Sequence, residues 1–143
     1  MTHAYVETDR KVVSSIQDGM LVLAGIGVDD NKEDIEWLTR KILQMRIFND
    51  ANGIPNLSLS ETGGDILLVS QFTLLADTKK GNRPSYIGAA SPEIAKPLFE
   101  ILHTHLQQGL GKVIPTGIFG ARMKVELVND GPFTIIIDSR KEK

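Results

Sequence analysis

The residues able to do chemistry in this chain lie in two stretches, Ser70-Gln71-Phe72-Thr73 and Asn129-Asp130-Gly131-Pro132-Phe133-Thr134. The first follows the apolar run Ile66 to Val69, which reads as a central strand covered on both faces. Polar groups at the end of such a strand stand where open sheets carry ligands. A threonine hydroxyl there is a weak nucleophile until a neighbouring group takes its proton. The second stretch sits between two strand-like runs, Met123 to Val128 and Phe133 to Asp138. On pattern alone it reads as a hairpin turn, since Asn, Asp, Gly and Pro all punctuate strands. Its Gly-Pro pair also presents two backbone carbonyls with almost no side chain around them. An X–Pro bond is cis in roughly 5% of folded-protein cases, and such a tip can meet a substrate through main chain alone.

Other reactive constellations are missing. The chain has no cysteine, so disulfides, thiolate metal sites and cysteine nucleophiles are excluded together. No HExxH pair, GxSxG elbow or phosphate-binding lysine loop occurs, and neither a metal nor a cofactor is expected. Of the three histidines, His103 and His105 are two residues apart on a helix-like run and so point to different faces. Gly25-Ile26-Gly27 follows a strand but lacks the third glycine of a dinucleotide loop.

Two further groups carry open alternatives. The polar loop Thr78 to Pro84 holds Lys79, Lys80 and Arg83, either as a solvated surface or as a phosphate-contacting patch beside the strand end. Phe119, held between Gly117 and Gly120, either packs into the core or stacks on a nucleobase; taken alone it reads as packing. The formal charge of −2 argues against a broad nucleic-acid surface, so any RNA contact is expected at a few residues only.

At 143 residues the chain is read as one domain, residues 1–143, long enough to bury a core. No apolar run approaches the ~20 residues of a membrane span, and no signal peptide is apparent, which makes the cytoplasm the expected location. Ala4 to Thr8, Val12 to Ile16 and Met20 to Gly25 read as strands. Asp30 to Glu33 resembles a capping box, after which Ile35, Leu38, Ile42 and Met45 form a helical stripe to about Arg46. A hairpin is expected through Ile47-Phe48, Asn52-Gly53 and Leu57 to Leu59. Ser91-Pro92 starts a second helix whose expected stripe is Ile94, Leu98, Ile101, Leu102 and Leu106, ended by Gly109 and Gly111. Val113-Ile114 is taken to open the last sheet segment, and Arg140 to Lys143 to be a frayed tail. The expected architecture is α/β: about eight strands in one strongly curved mixed sheet, with two main helices.

Taken together, Ser70-Gln71-Phe72-Thr73-Leu74 and Asn129 to Thr134 resemble the two signature motifs of the D-aminoacyl-tRNA deacylases. The likeness runs on through Arg46-Ile47-Phe48, Asn56 to Leu59, Ala76-Asp77-Thr78, Arg83-Pro84-Ser85 and Gly117 to Ala121. It covers nearly the whole chain in order. The resemblance implies a homodimer that hydrolyses the ester joining a D-amino acid to the 3′ end of tRNA. It implies a cis Gly131–Pro132 bond in a loop that enters the partner's active site, where its carbonyls hold the substrate's α-amino group and exclude an L side chain. Glycine has nothing to exclude, so glycyl-tRNA is expected to be poorly rejected.

In the same family, attack is ascribed either to the threonine matching Thr73 or to the 2′-hydroxyl of the terminal adenosine, with Ser70, Gln71 and Phe72 lining the pocket. The second route is favoured, because nothing offers Thr73 a base. Phe119 matches the position set against the terminal adenine; Met123, Lys79, Lys80 and Arg83 are expected to join the tRNA contact. Members of the family begin with a further strand ending in Gln-Arg-Val-Thr. Met1 stands where that valine would be, so about seven residues and an arginine bracing the Gly-Pro loop are expected to be missing, with an edge left open. Arg10 stands where a glycine often completes the first turn. Two other readings remain: a catalytically weak homodimer that binds tRNA or other nucleic acid, and a small-molecule hydrolase on an unrelated scaffold.

Overall fold

The computed structural model describes residues 1–143. In chain order its elements are β1 (His3–Thr8), β2 (Lys11–Ile16), β3 (Gly19–Ala24), α1 (Lys32–Gln44), β4 (Phe48–Asn49), β5 (Pro55–Leu57), α2 (Leu59–Thr62), β6 (Asp65–Ser70), a one-turn 3-10 helix (Phe72–Leu75), α3 (Pro92–Leu110), β7 (Lys124–Val128) and α4 (Ser139–Glu142). The architecture is α/β, with seven strands in three sheets instead of eight in one curved sheet. Strands β2-β1-β7 form an antiparallel sheet, β3 and β6 a parallel pair, and β4 and β5 a short hairpin.

Strand β6 explains how these pieces stack. Ile66, Leu67, Leu68 and Val69 are all buried, so both faces of the strand are covered. Ile66 and Leu68 face a cluster with Ile35, Ile42, Phe99, Leu102 and Leu106 of α1 and α3. Leu67 and Val69 face Ala4, Val6 and Ile16 of the antiparallel sheet. Helices, parallel pair and antiparallel sheet are thus three layers, with β6 in the middle. Leu102 and Leu106 are fully buried, each worth roughly 1.5–3 kcal/mol of apolar transfer.

Local chemistry fixes the ends of the elements. The α1 cap is Asn31 rather than Asp30: its Oδ1 accepts from the Glu33 and Asp34 amides, and Asp34 Oδ2 accepts from the Asn31 amide at 2.9 Å. Asp30 instead turns back to accept from the Gly27 amide at 2.6 Å. The buried stripe of α3 is Ala95, Phe99, Leu102 and Leu106. Ile94 is exposed, because the helix turns its small and aromatic positions, not its first isoleucine, toward α1. Phe133 to Asp138 forms no strand, since no other strand of the chain pairs with it. Beyond Val113, the sheet continues only as a bridge in which Leu68 N–H donates to Pro115 O (3.0 Å) and Gly117 N–H to Leu68 O (3.1 Å).

The β1–β2 hairpin turns through Asp9 and Arg10, both at positive φ (47° and 65°). That is the backbone of a two-residue hairpin loop that favours Asn-Gly or Asp-Gly. A non-glycine left-handed residue costs roughly 1–2 kcal/mol. Arg10→Gly is therefore expected to stabilise the protein by about 1 kcal/mol, read as a higher midpoint in urea unfolding.

Candidate functional site

The parallel pairing of β3 with β6 brings two strand ends together, with Ala24 opposite Ser70. The Gln71 amide donates to Ala24 O at 2.8 Å, so the chain leaves β6 fastened to the end of β3. Leu74 N–H then donates to Gln71 O (3.2 Å) and Ala76 N–H to Thr73 O (3.1 Å), which coils Phe72–Leu75 into its single turn. Ser70, Gln71, Phe72 and Thr73 are displayed along this turn. The turn lies so close to β3 that a Cβ on Gly25 would meet the Gln71 carbonyl oxygen at 2.8 Å and Leu75 Cδ2 at 2.5 Å. From sequence Gly25 reads as the end of a strand and as part of an incomplete dinucleotide loop. Its signal was the one a strand glycine often carries, a close backbone approach.

The chemistry of the turn follows from its hydrogen bonds. The Gln71 side-chain amide donates to Thr73 Oγ1. An amide N–H2 has no lone pair to offer a proton, so it orients the hydroxyl without activating it. His103 Nε2 is engaged with Ile114 O at 2.7 Å, and no hydrogen bond links its ring to Thr73. His3 is on β1, paired with Val128. No group of three His, Asp or Glu side chains is placed to hold a metal ion.

Phe72 is exposed and meets Tyr86 edge to face, ring centres 5.1 Å apart. Tyr86 follows a loop closed by reciprocal bonds between Asp77 and Ser85 (2.7 and 2.8 Å). Inside that loop Lys79, Lys80 and Arg83 are all exposed and make no ion pair. On the other side of β6, Gly117 packs close to Val69 and to Met123 Sδ, so Met123 borders the same strand end. Phe119 is half-buried, with one face tilted on Phe99 at 5.9 Å, in keeping with the packing reading of its residue type.

Gly131 and Pro132 stand apart from this group. The bond between them is cis, Gly131 has φ 142°, and residues 129–136 are all exposed. Asn129 ties the loop to itself: Phe133 N–H donates to its Oδ1 (2.9 Å), and its Nδ2 donates to Thr134 Oγ1 (2.8 Å). No hydrogen bond joins this tip to Ser70–Thr73 within the chain. The structure thus gathers Ser70 to Thr73, Met123 and the Asp77–Ser85 loop around one strand end, and leaves Gly131 and Pro132 outside.

Comparison with known proteins adds a lineage to this geometry. The family model described as D-Tyr-tRNA(Tyr) deacylase matches residues 1–138. A D-aminoacyl-tRNA deacylase of Flavobacterium psychrophilum is 55% identical over all 143 residues, and these span 95% of that protein. One of Bacteroides thetaiotaomicron is 54% identical over the same span. Among solved structures, that of a protein named c-Myc DNA Unwinding Element Binding Protein superposes with a TM-score of 0.89 at 37% identity, covering 94% of this chain and 91% of the other. A probable eukaryotic D-amino acid tRNA deacylase superposes with a TM-score of 0.77 at 17% identity, covering 88% of each chain, a likeness of fold alone.

Proposed function

Because the chain belongs to the D-Tyr-tRNA deacylase family, we propose that it hydrolyses the ester between a D-amino acid and the 3′ end of tRNA, with the strand-end turn as its pocket. In this reading Ser70, Gln71, Phe72 and Thr73 line the acyl site. Phe119 and Met123 meet the terminal adenosine through the exposed side of the Phe119 ring. Lys79, Lys80 and Arg83 contact phosphates, and no residue holds a metal.

Gly131 and Pro132 act on the partner of a homodimer. The observation carrying this is the separation just described: an exposed tip, fixed by Asn129, that makes no hydrogen bond to the pocket of its own chain. A two-fold axis exchanges two such tips between two such pockets. The tip's carbonyls then accept from the substrate's α-ammonium group. A side chain of L configuration would collide with the same backbone, whereas glycine would pass. Mixing a Gly131 variant with a Gln71 variant tests the exchange. Shared sites restore activity because one of the two pockets in a mixed dimer combines wild-type parts; no restoration contradicts the cross-subunit arrangement.

Attack is by water assisted through the adenosine 2′-hydroxyl, since the sole side-chain partner of Thr73 is an amide donor. Thr73→Ala is accordingly expected to keep kcat within about threefold of wild type in single-turnover hydrolysis. A loss of about 10³-fold, the size expected for removing an activated nucleophile, would contradict it.

A second reading is a homodimer that binds nucleic acid without turnover, favoured by the likeness to the c-Myc DNA Unwinding Element Binding Protein. Both readings expect salt-sensitive binding; release of the amino acid from D-aminoacyl-tRNA and from glycyl-tRNA separates them.

A further inference from the structure

Residues 138–143 are ordered, not frayed. Asp138 caps α4, accepting from the Arg140 amide at 3.0 Å, while its own amide donates to Glu142 Oε2 at 2.7 Å. The Arg140 guanidinium returns to the same carboxylate (Nη2–Oδ2 2.8 Å) and holds it below its ordinary 3.8. At the end of this turn Lys143 Nζ reaches Asp34 Oδ1 at 3.0 Å. Asp34 is only 8% exposed and already accepts from the Asn31 amide. Burial pushes its carboxyl up; the Asn31 amide, Lys143 and Ser139 bring it below 3.8 overall. Among the four ion pairs of the chain, this one has the least exposed carboxylate. Exposed pairs contribute little, whereas a partner removed from a buried carboxylate is felt.

Both ends of this contact matter for the site. Upstream, Ile137 packs on the main core and Asp138 follows the exposed arm that carries Gly131 and Pro132. Downstream, Asp34 stands in the first turn of α1, next to the loop that begins at Ala24, where Gln71 is fastened. That loop is itself braced by Gly27 N–H to Asp30 and by Ala90 N–H to Ile26 O at 2.9 Å.

We propose that Asp138–Lys143 is a latch: through the Lys143–Asp34 pair it fixes where the Gly131–Pro132 arm leaves its own protomer, and so how far that arm reaches into the partner's pocket, making Lys143 a positioning residue for chiral discrimination. This rests on the deacylase reading. Lys143 does not touch substrate. Its effect is on where the arm stands, and small displacements of a positioning group have large kinetic consequences.

The test compares Lys143→Ala with Lys143→Arg in the whole 143-residue chain. Two quantities are read: the ratio of kcat/KM for D- over L-tyrosyl-tRNA, and amide hydrogen exchange of residues 140–143, whose N–H groups are bonded within the α4 turn. Lys143→Ala is expected to lower the ratio about tenfold, mainly by admitting the L substrate, and to speed exchange in the turn. Lys143→Arg, which keeps the pair, is expected to retain both. An unchanged ratio in Lys143→Ala, with only the unfolding midpoint altered, would overturn the latch. Should the wild type fail to discriminate at all, the deacylase reading falls first. The exchange data still decide the latch, since a turn equally protected in both variants contradicts it.

Discussion

Gly25→Ala is expected to lower kcat/KM for D-aminoacyl-tRNA by about 10²-fold while leaving the protein folded. The added methyl would lie 2.8 Å from the Gln71 carbonyl oxygen and 2.5 Å from Leu75 Cδ2, with Leu74 Cβ at 3.3 Å. Leu75 has side-chain freedom to move, but the carbonyl is backbone. It can retreat only by shifting the turn that carries Gln71, Phe72 and Thr73 and by stretching the 2.8 Å bond from Gln71 N–H to Ala24 O. A displacement near 1 Å at a positioning group can cost on the order of 10²-fold in rate. Adding Leu75→Ala is expected not to restore activity, because the carbonyl contact remains. Gly27→Ala is the control: its Cβ would meet nothing closer than the Asp30 carboxylate at 3.4 Å. Steady-state kinetics beside circular dichroism check the comparison. Gly25→Ala within about threefold of wild type would mean that the position of the turn is not critical.

Gly131→Ala is expected to damage the tip itself. At φ 142° the backbone lies where L side chains are rarely found, and the new Cβ would stand 3.2 Å from Phe133 N. That nitrogen is the one held by Asn129 Oδ1, so relieving the contact pulls on the bond that fixes the loop. Backbone strain of roughly 2 kcal/mol corresponds to about thirtyfold in the population of the correct tip. Turnover of the D substrate should fall by up to that factor, and rejection of the L substrate should weaken with it. Thermal stability should change little, since residues 129–136 are exposed and bury no core surface. Assays on both substrates, with a melting curve, separate this outcome from general unfolding.

How legible this fold was from sequence depends on where each element gets its stability. Strands β1, β2, β3 and β6 and helices α1 and α3 were readable because each carries its own apolar period and its own punctuation. Phe133 to Asp138 has a strand's composition too, yet strand formation needs a neighbour, and no residue pattern supplies one. Of the α3 stripe only Ile94 was misplaced: Leu102 and Leu106 are buried and Leu98 and Ile101 pack against the core, while Ala95, which reads as neutral, is buried near the start of the helix. Arg140 to Lys143 looked like a solvated charged tail because its order comes from a tertiary partner, Asp34, more than a hundred residues away. The pocket turn was legible from polar residues at the end of a buried strand. Gly25, which permits its close approach, was not, because a glycine's role depends on what stands where its side chain would be. For Phe119 the bland expectation from residue type matches half of what is seen, one face packed on Phe99.

The most direct test of the account is hydrolysis of D-tyrosyl-tRNA and L-tyrosyl-tRNA by this protein, measured side by side under the same conditions. The account expects rapid release of D-tyrosine with L-tyrosyl-tRNA left intact over the same interval. Release of both at comparable rates would contradict the exclusion assigned to Gly131 and Pro132, and release of neither would contradict the deacylase itself.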